Sequence, residues 1–292
     1  IFALGDGLSA AEHDQLLAAL PAGMQDRVVP THDLAIGWLE TRTPDEMDQY
    51  GDVCKRAHGI LRRALSAEAI TPGTTTTTDV EWWLRHEVAL AGYGTWFHPT
   101  VSVQRDTAAD GNPSFAARPG AKVIEPGDLV HIDFGIVYLG LHTDQQQHAY
   151  VLRLGESAPP AGLTAGLAEA NTLQDILMKE FSPGRTGNEI LAAARSAAQT
   201  AGIDPTIYSH PIGMHGHGAG PTIGLWDQQS GVPGLGDYPL WPNTAYSIEL
   251  SAEAGVAEWD GQRVRFMLEE DAFFDGDSVE FIDGRQTELW LI

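Results

Sequence analysis

The chain has 292 residues, 43% of them hydrophobic and 20% charged, which is room for one large domain or two smaller ones with ample core. Its formal charge of −23 argues against a nucleic-acid partner, whose phosphates need a lysine and arginine footprint, and raises the local concentration of cations. No run of about 18 apolar residues suggests a membrane span, and the single cysteine, Cys54, excludes an intrachain disulfide and suits a cytoplasmic protein.

The opening Ile1-Phe2-Ala3-Leu4, in place of a methionine, suggests a trimmed start that a leader could precede. Gly5-Asp6-Gly7 reads as a turn, Ser9 as the cap of a short helix over residues 10–20, and Pro21 as its end. This piece has too little apolar surface to fold alone, so it reads as an appendage or the remnant of a preceding domain. Thr43-Pro44-Asp45-Glu46 then combines a capping box with a proline at the first helical position. The helix it starts should run to about Leu65 and bury Met47, Val53, Ile60, Leu61 and Leu65. Thr71-Pro72-Gly73 is a loop, and Asp79 opens a second helix that ends near Gly92. Residues 94–103 read as a strand, and the Ala-, Gly- and Pro-rich stretch 106–120 as a long, functional loop.

Residues 129–152 read as two apolar strands joined by a turn around Gly140, each with one carboxylate, Asp133 and Asp144. Helices follow over 160–181 and 186–201. A strand is expected at 208–212, and further strands at 245–252, 262–274 and 279–282. Two helices and then strands thus occur on each side of residue 153, which suggests two related halves.

An acid between strong β-formers is costly to bury unless something cationic neutralises it. A structural salt bridge would do so, but near the 129–152 hairpin the only non-histidine cation is Arg153. A metal ion is the other answer, and three later segments offer ligands. His217 lies in Met214-His215-Gly216-His217-Gly218-Ala219-Gly220, where glycines allow close backbone approach. Glu249 lies in an apolar strand, and Glu269 and Glu270 in another. Any one of these acids fits a structural role; the set points to metal.

The order of Asp133, then Asp144 eleven residues on, then Gly-His-Gly-x-Gly and two strand glutamates resembles the M24 metallopeptidases: methionine aminopeptidase, proline dipeptidase and aminopeptidase P. The resemblance covers residues 36–292 and leaves 1–35 as the end of the N-terminal creatinase-like domain that such enzymes carry. It implies an α+β pita-bread fold (creatinase/aminopeptidase), with two pseudo-related halves around a curved antiparallel sheet. It further implies two divalent ions (Mn, Co or Zn). Asp133 would chelate one, Asp144 and Glu269 would bridge both, and His217 and Glu249 would complete the second. Glu269 is preferred to Glu270 because Ala272-Phe273-Phe274 then matches the family's apolar triplet. A water bridging the ions would attack an amide carbonyl, and Glu249 would shuttle its proton to the leaving nitrogen. A homodimer and a small peptide or amide substrate are implied as well.

Two departures stand out. The family continues its histidine motif with a His-Glu pair, and here Gly224 occupies that place. A second family histidine, upstream of the first aspartate, falls near Ala116. Replacements could come from His98, His131, His142, His210 or His215; His131 shares the Asp133 face and His98 sits at a strand edge before the long loop, so both are catalytic candidates. Asp227, Trp226 and Trp241 could shape a distinctive pocket. The leading expectation is a dinuclear aminopeptidase or Xaa-Pro dipeptidase. The same centre acting on a small non-peptide amide, a non-catalytic binding relative, and a metal-free amidinohydrolase are the alternatives.

Overall fold

A computed structural model describes residues 8–29, 32–106 and 120–292. The turn expected at 5–7, the interior of the loop at 106–120 and the position near Ala116 lie outside the described residues. The chain runs through helices α1 (Ala10–Ala19), α2 (Ala22–Gln25), α3 (His32–Glu40), α4 (Pro44–Ala64) and α5 (Thr77–Leu90), then strands β1 (Thr100–Gln104) and β2 (Leu129–Phe134). A short ribbon, β3 (Val137–Tyr138) and β4 (Leu141–His142), leads into β5 (Gln145–Tyr150). The second half contains α6 (Ala161–Met178), α7 (Gly187–Thr200), β6 (Pro205–Ile207), β7 (His210–Ile212), β8 (Thr244–Ser247) and β9 (Leu250–Val256). It closes with β10 (Gln262–Leu268), β11 (Asp271–Phe274), β12 (Val279–Phe281) and β13 (Trp290–Leu291).

Local chemistry sets the helix starts. Ser9/Glu12, Thr43/Glu46, Thr76/Asp79 and Thr186/Glu189 each form a reciprocal capping box, so two amide groups that the helix leaves open find side-chain partners. Asp79 answers the cap of α5 rather than opening the helix, which therefore starts at Thr77. The strand expected over 94–103 is confined to Thr100–Gln104 because Pro99 has no N–H to give; Gly94 makes only an isolated bridge to Val137. Leu139 and Gly140, at φ 55° and 78°, form the tight turn of the β3–β4 ribbon.

The strands form a β1-β2-β5-β13 sheet, a β10-β9-β6 sheet and a β12-β11-β8-β7 sheet, antiparallel except for β13 beside β5. Each half carries its own helices. Tyr50, Val53 and Leu61 of α4 and Val80 and Leu84 of α5 pack with Val130, Ile132 and Phe134 of β2 in one core. Leu163, Leu167 and Leu173 of α6 and Ile190 and Leu191 of α7 pack with Leu250, Phe266 and Leu268 in the other. Helix α1 buries none of its side chains. No described helix is long and apolar enough to cross a membrane.

The glutamates do not sit inside strands as the sequence pattern suggests. Glu249 occupies the break between β8 and β9, and Glu269-Glu270 the break between β10 and β11. At these breaks the chain passes from one sheet to the next, and the freed backbone groups pair across the junction: Ile248 N–H with Glu270 C=O, and Tyr208 N–H with Glu249 C=O. Gln146 of β5 bridges Glu269 through both backbone directions, tying the first sheet to this junction.

Candidate metal centre

Asp133 and Asp144 reach the junction from β2 and from the residue preceding β5. Register places Asp133 between Thr100 and Gln146, and the Thr100 hydroxyl donates to Asp133 Oδ2 at 3.3 Å. Asp144 is buried; its backbone N–H and the amide of Gln145 both donate to the buried carboxylate of Asp271. That contact, with the Cys54 thiol donating to Asp271 from α4, fixes the start of β5.

Glu249 and Glu269 neighbour Asp144 at the junction. The side-chain amide of Gln146 donates to Glu249 Oε1 at 2.8 Å and to Glu269 Oε2 at 2.6 Å, and the Ser247 hydroxyl donates to Glu269 Oε1. Glu270 points away: its carboxylate takes the Gln147 amide at 2.9 Å and His58 Nε2 at 2.6 Å. The geometry thus separates the two neighbouring acids and brings Glu269 to the cluster.

The histidine at the carboxylates is His210, not the expected His217. His210 Nε2 lies 3.5 Å from Glu269 Oε1, 3.8 Å from Asp144 Oδ2 and 3.8 Å from Glu249 Oε2. Asp144, His210 and Glu269 offer ligand atoms that all lie within 4.8 Å of one another. The reason is register: β7 pairs His210 with Ser247, directly beside the Glu249 break. His217 lies farther along, where the chain folds back so that Gly218 N–H donates to Pro211 C=O. That return sets the His217 ring edge-on to His210, with centroids 4.6 Å apart, and its Nε2 3.4 Å from the Tyr208 hydroxyl. The glycines do allow close approach: a Cβ on Gly216 would sit 2.4 Å from the Trp96 ring. Among the described residues His217 makes no ion pair with a cluster carboxylate.

Of the other histidine candidates, His98 lies against α5, with Glu81 at 3.6 Å and the Trp82 ring edge-on, and makes no ion pair with the cluster. His131 is buried beneath the carboxylates and contacts Gln146 rather than open space. His142 Nδ1 lies 3.1 Å from the Gly213 carbonyl and His215 Nδ1 2.8 Å from that of Met214. Trp226, Asp227 and Trp241 are exposed.

The electrostatics fit a cation. Burial first, then the neighbouring Glu269, Asp133 and Glu249, pushes the Asp144 carboxyl well above its usual range. Burial, then Glu269 and Asp133, does the same to Glu249. Glu269 rises to about 7, burial outweighing the hydrogen bonds from Ser247, Gln146 and Asp144. Burial lowers His210 to about 4, so its imidazole is neutral and available as a donor atom. Asp144 Oδ1 and His210 Nε2 are buried without a hydrogen-bond partner, a costly state that a shared cation would relieve. Two donors each about 2.1 Å from one cation sit roughly 3–3.5 Å apart, close to the His210–Glu269 separation. In the sequence His210 stands only among the possible substrate histidines; the signal for a ligand role is spacing, since His217 follows it by the same seven residues that separate Gly224 from His217. Gln146 and Ser247 carry no such signal.

Comparison with known proteins bears on the fold and the family. Part of the chain, 45% of it, is 28% identical over 134 residues to methionine aminopeptidase 1A of Arabidopsis thaliana, and the match spans about a third (32%) of that protein's length. The fold is similar to a prolidase from Thermococcus sibiricus (TM-score 0.67, 15% identity, 94% of this chain and 71% of that one). It is likewise similar to the dipeptidase PepE of Mycobacterium ulcerans (TM-score 0.67, 20% identity, 99% and 70%). A methionine aminopeptidase from Rickettsia prowazekii superposes over its whole length (TM-score 0.62, 16% identity, 84% and 100%). These structural likenesses establish the pita-bread fold. Residues 47–274 match the model of metallopeptidase family M24, and the chain belongs to that family.

Proposed function

We propose that this protein hydrolyses amide bonds of small peptides as an aminopeptidase or Xaa-Pro dipeptidase, with residues 36–292 as the catalytic unit. Asp133, Asp144, His210, Glu249 and Glu269 would hold two divalent ions, of manganese, cobalt or zinc. The observation that carries the reading is the pair of buried, unpartnered atoms, Asp144 Oδ1 and His210 Nε2, in a cluster with Glu269. When bound, such ions supply Lewis-acid polarisation of a carbonyl and a water of lowered pKa.

The chain's own residues do the rest. Glu249, with Oε2 turned toward His210, is assigned the proton transfer to the leaving nitrogen. His217, neutral because burial and the His210 ring lower it to about 3, is assigned to hold the substrate carbonyl by a hydrogen bond. With His210 as a ligand, the family spacing that pointed to Gly224 points to His217, so one of the two grounds for a non-peptide substrate falls away. Trp96 and Tyr208, in ring contact with His217, wall the same side and restrict water there. The family resemblance supports a homodimer, and the composition supports a cytoplasmic setting.

The test is metal analysis of the purified protein, followed by chelation, reconstitution with Mn²⁺, Co²⁺ or Zn²⁺, and assay on Xaa-Pro dipeptides and N-terminal Met peptides. Activity should vanish on chelation and in Asp133→Ala; hydrolysis that survives both would sink the reading.

A further inference from the structure

A buried polar chain runs behind the carboxylates and ends on them. Ser102, His131 and His148 are cross-strand neighbours on β1, β2 and β5. Asp133 and Gln146 form the next pair on the same face of β2 and β5, two positions along. Gln146 is long enough to reach diagonally to the His131 row and, with its other end, to the glutamates. Its Oε1 lies 2.9 Å from His131 Nε2, and His131 Nδ1 lies 3.4 Å from the Ser102 hydroxyl. All three side chains are buried.

The polarity of this chain is fixed throughout. Turned the other way, the Gln146 amide would set its oxygen against two carboxylates, so the NH₂ group must face Glu249 and Glu269. Its oxygen then needs a donor, which is the Nε2–H of His131. Nδ1 of His131 is left as an acceptor for the Ser102 hydroxyl. His148, whose ring centroid is 5.0 Å away, is tied off separately: its Nε2 accepts from the Met267 N–H.

The consequence falls on the glutamates. Gln146 occupies Glu249 Oε1 and Glu269 Oε2. The oxygens turned toward His210 are the other two, Glu249 Oε2 and Glu269 Oε1. One amide therefore sets the rotation of both carboxylates and their separation. We infer that Gln146 is the positioning residue for the Glu249–Glu269 pair and that His131, which touches neither glutamate, tunes cation affinity through it. The inference rests on the proposed metal site. Partners behind metal ligands commonly alter affinity by about 10–100-fold.

The test uses Mn²⁺ alone as the probe, with calorimetric titration of the full chain after chelation. Wild type, Gln146→Leu, His131→Phe, the double variant and Ser102→Ala are compared. Gln146→Leu should bind Mn²⁺ at least about tenfold more weakly. His131→Phe should bind more weakly too, and the double variant no more weakly than Gln146→Leu, because His131 acts only through the amide. Ser102→Ala removes only the far hydroxyl and preserves packing; a measurable weakening there supports the chain even if a larger substitution fails to fold. Equal affinity in wild type, Ser102→Ala and the foldable Gln146 and His131 variants would overturn the inference while leaving the metal site standing. Additive losses in the double variant would overturn the link between His131 and Gln146. Absence of Mn²⁺ binding by wild type would instead remove the metal site itself.

Discussion

His210 Nε2 and Glu269 Oε1 face each other across 3.5 Å, brought together by the pairing of β7 with β8 and by the break that ends β10. His217, seven residues on and in a more conspicuous sequence setting, sits edge-on to the His210 ring instead.

This arrangement separates the two histidines by experiment. His210→Ala should lose at least one tightly held divalent ion, read by metal analysis after gel filtration. His217→Ala should retain its ions and lose about 10²–10⁴-fold in kcat, the range for removing a positioned polar group. The reverse pattern would return the ligand role to His217.

Glu40, packed against the Gly220 end of the loop that carries His217, gives a pH prediction. It is buried with both carboxylate oxygens unpartnered, and burial pushes it up to about 8. Because the folded pKa lies above the ordinary 4.5, its contribution favours folding at low pH and is lost as pH rises through 8. Glu40→Gln, neutral at every pH, should match wild type in thermal stability below pH 4.5 and exceed it above pH 8. A constant difference in Tm across that window would show that Glu40 does not titrate there.

His58 has the same sign with a different cause. Burial opposes its charge, but Glu270 at 2.6 Å and Asp283 at 2.9 Å carry its pKa from 6.5 up to about 9. Its ion pairs therefore stabilise the fold fully below pH 6.5 and fade as pH passes 9. Urea unfolding of His58→Gln should reveal a larger loss on the acid side of that window than on the alkaline side. An equal loss on both sides would assign His58 a packing role alone.

The second core supplies a packing test. A Cβ on Gly166 of α6 would sit 2.0 Å from the Phe266 ring of β10. Gly166→Ala should lower stability by about 1–3 kcal/mol through overpacking, against the gain of roughly 1 kcal/mol that alanine gives a free helix. Chemical denaturation at neutral pH measures the balance. A stabilised variant would mean that α6 can move off the sheet at little cost.

Much of this molecule is local and so was legible in order. The Ser9 cap of α1, the capping box of α4, the turn at Gly140 and the paired aspartates around it follow from side chains that act within a few residues. The apolar periodicity of α4 named Met47, Val53, Ile60, Leu61 and Leu65; all are buried except Met47, which is half-buried. The unusual acids at 133, 144, 249 and 269 stood out because a carboxylate among β-formers is costly to bury unless a cation neutralises it. What local chemistry could not decide was which of two histidines seven residues apart, His210 or His217, faces the carboxylates, or that Glu249 and Glu269 occupy breaks where strands change sheets. Nor could it place Gln146 between them, since a glutamine in a strand has no preferred partner until another strand arrives beside it. Those outcomes depend on register between segments about a hundred residues apart, and register is settled by which pairing buries the most surface and satisfies the most donors at once.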